Sequence, residues 1–133
     1  MGELRILLRG RIPSKKNSKQ IVGGSRPFLI PSKNYKIWHE EKMWELKAYR
    51  VKTPISKCSI DIDIMFPDHR KADLTNKAES INDLLVDAGI LEDDDHKILN
   101  KVNLTSLGVD KNNPRAVIVI KYEDNNTTTS KTS

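Results

Sequence analysis

The feature that most constrains the fold is a strand pattern followed, a few residues later, by a capped helix pattern. Residues 58–66, Cys-Ser-Ile-Asp-Ile-Asp-Ile-Met-Phe, alternate apolar and polar side chains with a period of two. This alternation is typical of a strand with one buried face and one solvent-exposed face. Asp73 is a favourable N-cap for a helix over residues 74–88, and Gly89 is a favourable stop.

Weaker sequence patterns predict the remaining strands and helix of a small domain. They predict a strand at residues 4–8, a hairpin turn at Gly23-Gly24, a helix from an N-cap at Ser32 to about Tyr49, and strands at residues 100–107 and 115–122. The predicted fold class is α/β, with a small mixed β-sheet packed by two helices in a single domain over residues 1–122. Residues 123–133 are rich in Thr, Asn and Ser and are predicted to form a disordered tail.

The predicted helix over residues 32–49 has two apolar faces. At about 100° per residue, one face carries Tyr35, Trp38, Leu46 and Tyr49, and the roughly opposite face carries Ile37, Trp44 and Ala48. One face is expected to pack on the core. The other is open to two interpretations, which are further core packing and contact with a second subunit.

The composition is that of one soluble domain. At 133 residues the chain is large enough to bury a core, and no apolar run approaches the roughly 18 residues that a membrane span needs. The first ten residues are typical of a strand and not of a signal peptide, so we predict a cytoplasmic protein. Cys58 is the only cysteine, which excludes an intrachain disulfide, and its apolar surroundings favour a core residue over a nucleophile.

Charge is divided unevenly along the chain. Residues 1–60 carry 14 Lys and Arg against 4 Asp and Glu, whereas residues 61–133 carry 9 against 14. The excess of Lys and Arg in residues 1–60 suggests a polyanionic partner such as nucleic acid. Eight acids lie between residues 73 and 95, with Lys77 as the single base, and they would repel that partner unless they hold divalent cations. An ordinary mixed-charge surface is the alternative.

The helix over residues 74–88 carries part of this acidic stretch. Its apolar stripe is Leu74, Ala78, Ile81 and Leu85, and the opposite side carries Asn76, Glu79 and Asp83. Carboxylates from the helix start and from the run 92–95 could bind magnesium, which usually takes one or two carboxylates. The same residues could equally be a cap and solvated surface acids. An EF-hand is excluded because the run lacks the required glycine and terminal glutamate.

The order of residues in this stretch resembles one family. Asp73-Leu74-Thr75-Asn76, a helix containing Asp83, the stop Ala88-Gly89 and then Asp93-Asp94 are similar to the pattern of the RusA family of Holliday junction resolvases. The match runs without a gap over residues 66–95, and Pro13-Ser14 with Asn17 resembles the family's opening. The resemblance implies a homodimeric α/β nuclease domain, of a kind found in bacteria and phages, that nicks four-way DNA junctions symmetrically with Mg²⁺.

The resemblance also implies site residues. Asp73 and Asp94 correspond to the catalytic aspartates, and Asp93 lies beside the second as a further metal ligand. The DNA-binding positions are expected to be Arg70, Lys71 and Asn76, together with the N-terminal bases Lys15, Lys16, Lys19 and Arg26. The interpretation requires Asp73 and Asp94, from the two ends of the helix, to converge in space.

The chain departs from the family pattern at two positions. Thr75 stands where the family has its second aspartate, and Glu79 stands where it has a catalytic lysine. We expect Glu79 to replace the missing carboxylate as a metal ligand, and Lys77 or Lys71 to supply positive charge toward the phosphate. His96 could shuttle a proton, although a surface histidine is the favoured interpretation.

The predicted function is a Mg²⁺-dependent endodeoxyribonuclease, in which Mn²⁺ could replace Mg²⁺, that resolves Holliday junctions by paired symmetric nicks in DNA recombination and repair. The alternative is a protein that binds branched DNA without cutting it, which the two departures favour. A nuclease for flaps or ordinary duplexes is a third interpretation.

Overall fold

The computed structural model describes residues 2–14, 19–22, 28–31, 33–49 and 51–123, and only the backbone of 19–22 and 28–31. In chain order the elements are β1 (Gly2–Arg9), β2 (Lys19–Val22), β3 (Phe28–Pro31), α1 (Lys33–Leu46), a 3₁₀ turn (Lys47–Tyr49), β4 (Cys58–Phe66), α2 (Leu74–Asp87), β5 (Leu99–Val109) and β6 (Arg115–Tyr122). The predicted Gly23-Gly24 turn, the Ser32 cap and the tail from residue 124 lie outside the described residues. Across the part of the chain that is described, neither helix has the length and apolar character needed to span a bilayer.

The main sheet mixes parallel and antiparallel strands. Its order is β1-β6-β4-β5, and β2 and β3 form a separate antiparallel pair. β6 runs antiparallel to both β1 and β4, whereas β4 and β5 are parallel. Parallel neighbours need a crossover connection, and α2 provides it by running back from the end of β4 toward the start of β5. The predicted mixed sheet with two helices is confirmed.

The alternation in β4 decides which face of the sheet is covered. Ile60, Ile62 and Ile64 are at most 2% exposed, whereas Asp61 and Asp63 between them are partly exposed. The same hydrophobic core takes in buried residues of β1, β6 and α2, namely Ile6, Leu8, Ala116, Ile118, Ile120, Ile81, Leu84 and Leu85. Cys58 also belongs to this core, where burial raises the pKa of its thiol, in agreement with the predicted core role.

Local signals set both ends of α2. The Oδ1 atom of Asp73 accepts hydrogen bonds from the backbone N–H groups of Thr75 at 3.0 Å and of Asn76 at 3.4 Å. These bonds satisfy donors that the first turn of a helix leaves without a partner, and such a cap contributes about 1 kcal/mol. After the last helical turn, Gly89 has a φ of 79°, a conformation that favours glycine. The predicted cap and stop are confirmed.

One apolar face of α1 packs on the core and the other is exposed. Tyr35, Trp38 and Leu46 are buried on the first face, whereas Ile37 is 45% exposed and Trp44 is 67% exposed on the second. The ammonium of Lys47 lies 4.1 Å from the centre of the Trp44 ring, a cation–π contact that partly shields it. Within the described residues, core packing therefore accounts for one of the two predicted faces.

The strand β5 is an edge of the main sheet and is little covered. Of its eleven residues, only Leu99 is buried, and Val102 is 38% exposed. Val102 lies opposite the buried Ile60 in the β4–β5 register, so both side chains point to the same face of the sheet. The covered face of the sheet therefore ends at β5, where Val102 is partly open to solvent.

Candidate active site

A groove of about 990 Å³ opens at the N-terminal end of α2. One wall is the segment after β1, residues 11–14, and the other is the segment between β4 and α2. The charged side chains that line the groove are Arg11, Asp68, Arg70, Lys71, Asp73 and Lys77. Four of these six are cationic at neutral pH, so the groove has an excess of positive charge.

Asp68 holds two of these cations in place. Nε of Arg70 donates to Oδ2 of Asp68 at 3.0 Å. Nη2 of Arg70 lies 2.9 Å from the same oxygen, and Nη2 of Arg11 lies 3.7 Å from it. The hydrogen bonds from Arg70 hold the pKa of Asp68 below its ordinary value. Exposed pairs of this kind add little stability, but they fix the direction of the guanidinium groups. Sequence reasoning missed Arg11, whose one signal is its position just before Pro13-Ser14.

Two hydrogen bonds tie α2 to the first wall of the groove. Nζ of Lys77 donates to the carbonyl oxygen of Ile12 at 2.6 Å, and Oγ of Ser80 donates to that of Pro13 at 2.6 Å. Burial lowers the pKa of Lys77, and the charges of Arg11 and Arg70 lower it further. A lysine predicted to face the phosphate is therefore anchored inside the groove.

The polar side of α2 is less exposed than the sequence pattern indicates. Asn76 is 7% exposed and Ser80 is fully buried, and Ser80 also donates to the carbonyl oxygen of Asn76 at 3.3 Å. Asn76 is largely covered because the residues after β1 pack against this side of the helix, and its expected contact with DNA stays a prediction. Glu79 is exposed, as expected.

Asp73 lines the groove at the N-terminal end of α2, where its carboxylate can reach a bound ligand. It is exposed, and its Oδ1 accepts a hydrogen bond from the hydroxyl of Thr75 at 2.6 Å. Thr75, at the position of the family's second aspartate, thus supports the first aspartate and adds no charge. Magnesium usually takes one or two carboxylates and completes its shell with water and phosphate oxygens, so Asp73 fits as one ligand.

Asp94 lies at the opposite end of α2 from Asp73. Leu91, just before it, forms a parallel bridge with Ile55, and Leu99, just after it, pairs with Cys58 at the start of β4. The helix has 14 residues and is therefore about 21 Å long. Because α2 runs antiparallel to β4, the loop holding Asp94 is at the far end of the sheet from the groove. The expected convergence of Asp73 and Asp94 does not occur within one chain.

Negative charge accumulates around Asp94. The backbone N–H of Asp94 donates to Oδ1 of Asp93 at 2.7 Å. The pKa of Asp94 is raised, first by partial burial and then by a hydrogen bond with the Asp93 side chain and by the charges of Asp93 and Asp83. A divalent cation would relieve this repulsion.

The remaining predicted residues lie around these two regions or outside the description. Lys71 is exposed on the groove lining, and His96 is exposed in the loop after α2. Lys15, Lys16 and Arg26 lie outside the described residues, as does the side chain of Lys19. Their expected role in DNA binding stays a prediction.

A cluster that the sequence did not reveal joins α1 to α2. One ligand atom from each of His39, Asp83 and Asp87 lies within 4.8 Å of the others, and this is the one such group of three potential metal ligands among the described residues. His39 and Asp87 carried no sequence signal, because they are 48 residues apart and meet only when the helices pack.

The similarity of the chain to known proteins is distant. No protein-family model matches it. The chain is similar to the crossover junction endodeoxyribonuclease RusA of Aquifex aeolicus (strain VF5), with 28% identity over 96 residues, which cover 71% of this chain and 74% of the relative. This similarity supports a distant relationship between the chain and RusA.

Proposed function

We propose that this chain is a Mg²⁺-dependent endodeoxyribonuclease that acts as a homodimer and resolves Holliday junctions by paired symmetric nicks. The observation that carries the proposal is the groove, in which Asp73 stands among four cationic side chains. A carboxylate beside clustered Lys and Arg suits a phosphodiester held together with a divalent cation. The relative RusA is a crossover junction endodeoxyribonuclease, which supports four-way DNA as the substrate.

The cationic side chains of the groove would bind the DNA backbone. Arg11 and Arg70, aligned by Asp68, can donate to neighbouring phosphates. Lys77 is one helical turn from Asp73, and its ammonium is held by the Ile12 carbonyl. A fixed cation beside the scissile phosphate stabilises the charge that develops during displacement. We therefore assign to Lys77 the part that the family gives to the lysine at the position of Glu79.

The carboxylates would hold the metal. Mg²⁺, when bound, polarises the phosphate and lowers the pKa of a coordinated water. We propose Asp73 as one ligand and Asp94, with Asp93 beside it, as the second source of hard oxygen. Glu79, six residues after Asp73 and exposed, remains the proposed replacement for the family's missing aspartate.

A site that uses both Asp73 and Asp94 must draw them from two chains, because they lie at opposite ends of α2. If two copies align their α2 helices antiparallel about a two-fold axis, Asp73 of each copy meets Asp94 of the other. Val102, 38% exposed on the edge strand β5, offers apolar surface for this contact. Two equivalent sites would then serve a junction that has approximate two-fold symmetry and must be cut twice.

The direct experiment incubates a labelled four-way junction with the protein and Mg²⁺. Wild-type protein should give symmetric nicks, and Asp73→Asn should give none. Asparagine caps a helix about as well as aspartate, so the variant keeps the fold while losing the charge. Asp63→Asn is the matched control, because Asp63 lies on the uncovered face of β4, and it should cut normally. Cleavage that survives in Asp73→Asn would overturn the proposal.

A second candidate is a protein that binds branched DNA and does not cut it. The observation that favours it is the hydroxyl of Thr75 bonded to Asp73, where the family has another carboxylate. Tight, structure-selective binding of the junction with no nicks in either Mg²⁺ or Mn²⁺ would select this candidate. A panel with flap and duplex substrates separates both from a nuclease of broader range.

A further inference from the structure

A second polar cluster lies at the interface of α1 and α2, outside the groove. Tyr35 and His39 are four residues apart on α1, and Asp83 and Asp87 are four residues apart on α2. This spacing puts both members of each pair on one face of their helix. Nε2 of His39 lies 2.8 Å from Oδ2 of Asp87, and Nδ1 of His39 lies 4.0 Å from Oδ2 of Asp83.

Three of these side chains are close enough to share one ion. The ligand atoms of His39, Asp83 and Asp87 lie within 4.8 Å of one another. Two ligand atoms bonded at about 2.1 Å to a tetrahedral ion are about 3.4 Å apart, so the separations in this cluster need to shrink by at most about 1.4 Å. The histidine side chain is 15% exposed, and those of Asp83 and Asp87 are 32% and 49% exposed. The cluster is therefore anchored on its inner side and open to water ligands on its outer side.

Tyr35 forms hydrogen bonds that hold two of these side chains in position. Its hydroxyl donates to Oδ2 of Asp83 at 3.1 Å and lies 3.5 Å from Nδ1 of His39. If Nε2 of His39 binds an ion, the Nδ1–H group can donate a hydrogen bond to the hydroxyl oxygen of Tyr35. A hydrogen-bond acceptor on the second ring nitrogen is typical of metal-bound histidine.

We propose that His39, Asp83 and Asp87 form a binding site for a divalent transition-metal ion, of the class of Mn²⁺, Co²⁺ and Zn²⁺, that links α1 to α2. Imidazole nitrogen suits these ions, whereas Mg²⁺ selects oxygen ligands. The site thus differs in ligand chemistry from the proposed Mg²⁺ ligands. It does not depend on the nuclease proposal, because none of its three ligands is among the proposed Mg²⁺ ligands.

The competing explanation is a His39–Asp87 ion pair that holds the helices together without a metal. The two accounts differ in what Mn²⁺ does to the unaltered protein. The chain has three histidines, His39, His69 and His96, whose ring signals can be followed by NMR. Substoichiometric Mn²⁺ should broaden the signals of His39 first, and a large excess of Mg²⁺ should not reverse this. Broadening that spares His39 would overturn the proposal, and this result needs no variant.

Co²⁺ binding, followed by its visible absorption, provides the second test. Tyr35→Phe should weaken binding by about 10- to 100-fold, as loss of an outer partner does, and His39→Gln should weaken it at least as much. His69→Gln is the matched control and should bind as the wild type does. Asp73→Asn should also bind normally, which separates this site from the nuclease proposal. Equal affinity in wild type and His39→Gln would contradict the site.

Discussion

Replacing Lys77 by methionine tests whether the groove binds a phosphate. Methionine keeps an unbranched, flexible side chain and removes the charge. The hydrogen bond of 2.6 Å from Nζ to the Ile12 carbonyl is lost, and a bond from a charged donor contributes about 1.5–3 kcal/mol. The change also removes a charge that burial and the neighbouring Arg11 and Arg70 disfavour. Because the two effects oppose each other, we expect the free energy of unfolding to change by less than about 2 kcal/mol.

The effect on cleavage should be larger than the effect on folding. Loss of one preorganised donor that faces developing charge reduces a rate by about 10²–10³, so Lys77→Met should cut four-way junctions about 100-fold more slowly at saturating Mg²⁺. The slope of log affinity against log salt concentration should fall by about 0.9, the value for one phosphate contact. Lys77→Arg keeps the charge and should recover part of the rate.

The assay compares single-turnover cleavage and junction binding at several salt concentrations, with thermal denaturation to check folding. Lys121→Met is the control, because Lys121 is on β6, where its Nζ lies 3.8 Å from Oδ2 of Asp61 on the uncovered face of the sheet, and it does not line the groove. It should keep the wild-type cleavage rate. A folded Lys77→Met protein with wild-type cleavage and an unchanged salt slope would show that Lys77 does not contact a phosphate.

Three further predictions follow from the geometry of α2 and its ends. Asp94→Asn should abolish cleavage yet raise the melting temperature at neutral pH by at most a few degrees, roughly what a gain below 1 kcal/mol gives. The reason is that burial, Asp93 and Asp83 raise the pKa of Asp94 above its ordinary value of 3.8. The folded chain therefore binds more protons than the unfolded chain, and the free energy of unfolding falls as the pH rises from the unfolded to the folded pKa of Asp94. A variant that melts at a lower temperature than the wild type at pH 7 would contradict this. Glu79→Gln should slow cleavage if Glu79 is a metal ligand, and a wild-type rate would exclude that role. Gly89→Ala should lower the free energy of unfolding, measured in urea, by about 1 kcal/mol. The cause is the backbone, because Gly89 has a φ of 79° and no atom lies within 4 Å of an added Cβ. An unchanged free energy of unfolding would show that the end of α2 does not need glycine.

The parts of the fold that depend on neighbours in the chain could be predicted from the sequence. The alternation of residues 58–66 produces β4, and the cap at Asp73 with the stop at Gly89 bounds α2 to within a residue or two. Each of these signals acts through backbone bonds or side-chain directions within a few residues. The mixed sheet follows from the same reasoning, because alternating strands and amphipathic helices must bury their apolar faces together.

The parts that depend on packing could not be predicted in this way. Asn76 has a polar side chain, yet it is buried because the segment after β1 packs on α2. Arg11 enters the groove through an ion pair with Asp68, 57 residues away. Likewise, the separation of Asp73 from Asp94 depends on the parallel pairing of β4 with β5, which sets the direction of α2. The local pattern carries no information on that pairing.

In the proposed dimer, each active site combines Asp73 of one copy with Asp94 of a second copy. The most direct test mixes equal amounts of Asp73→Asn and Asp94→Asn protein under conditions that allow subunit exchange. About half of the dimers are then mixed, and each mixed dimer has one site with both aspartates and one with neither. The two variants, each inactive alone, should together recover about a quarter of the wild-type nicking, as single rather than paired nicks. A mixture that stays as inactive as its components would contradict the shared site.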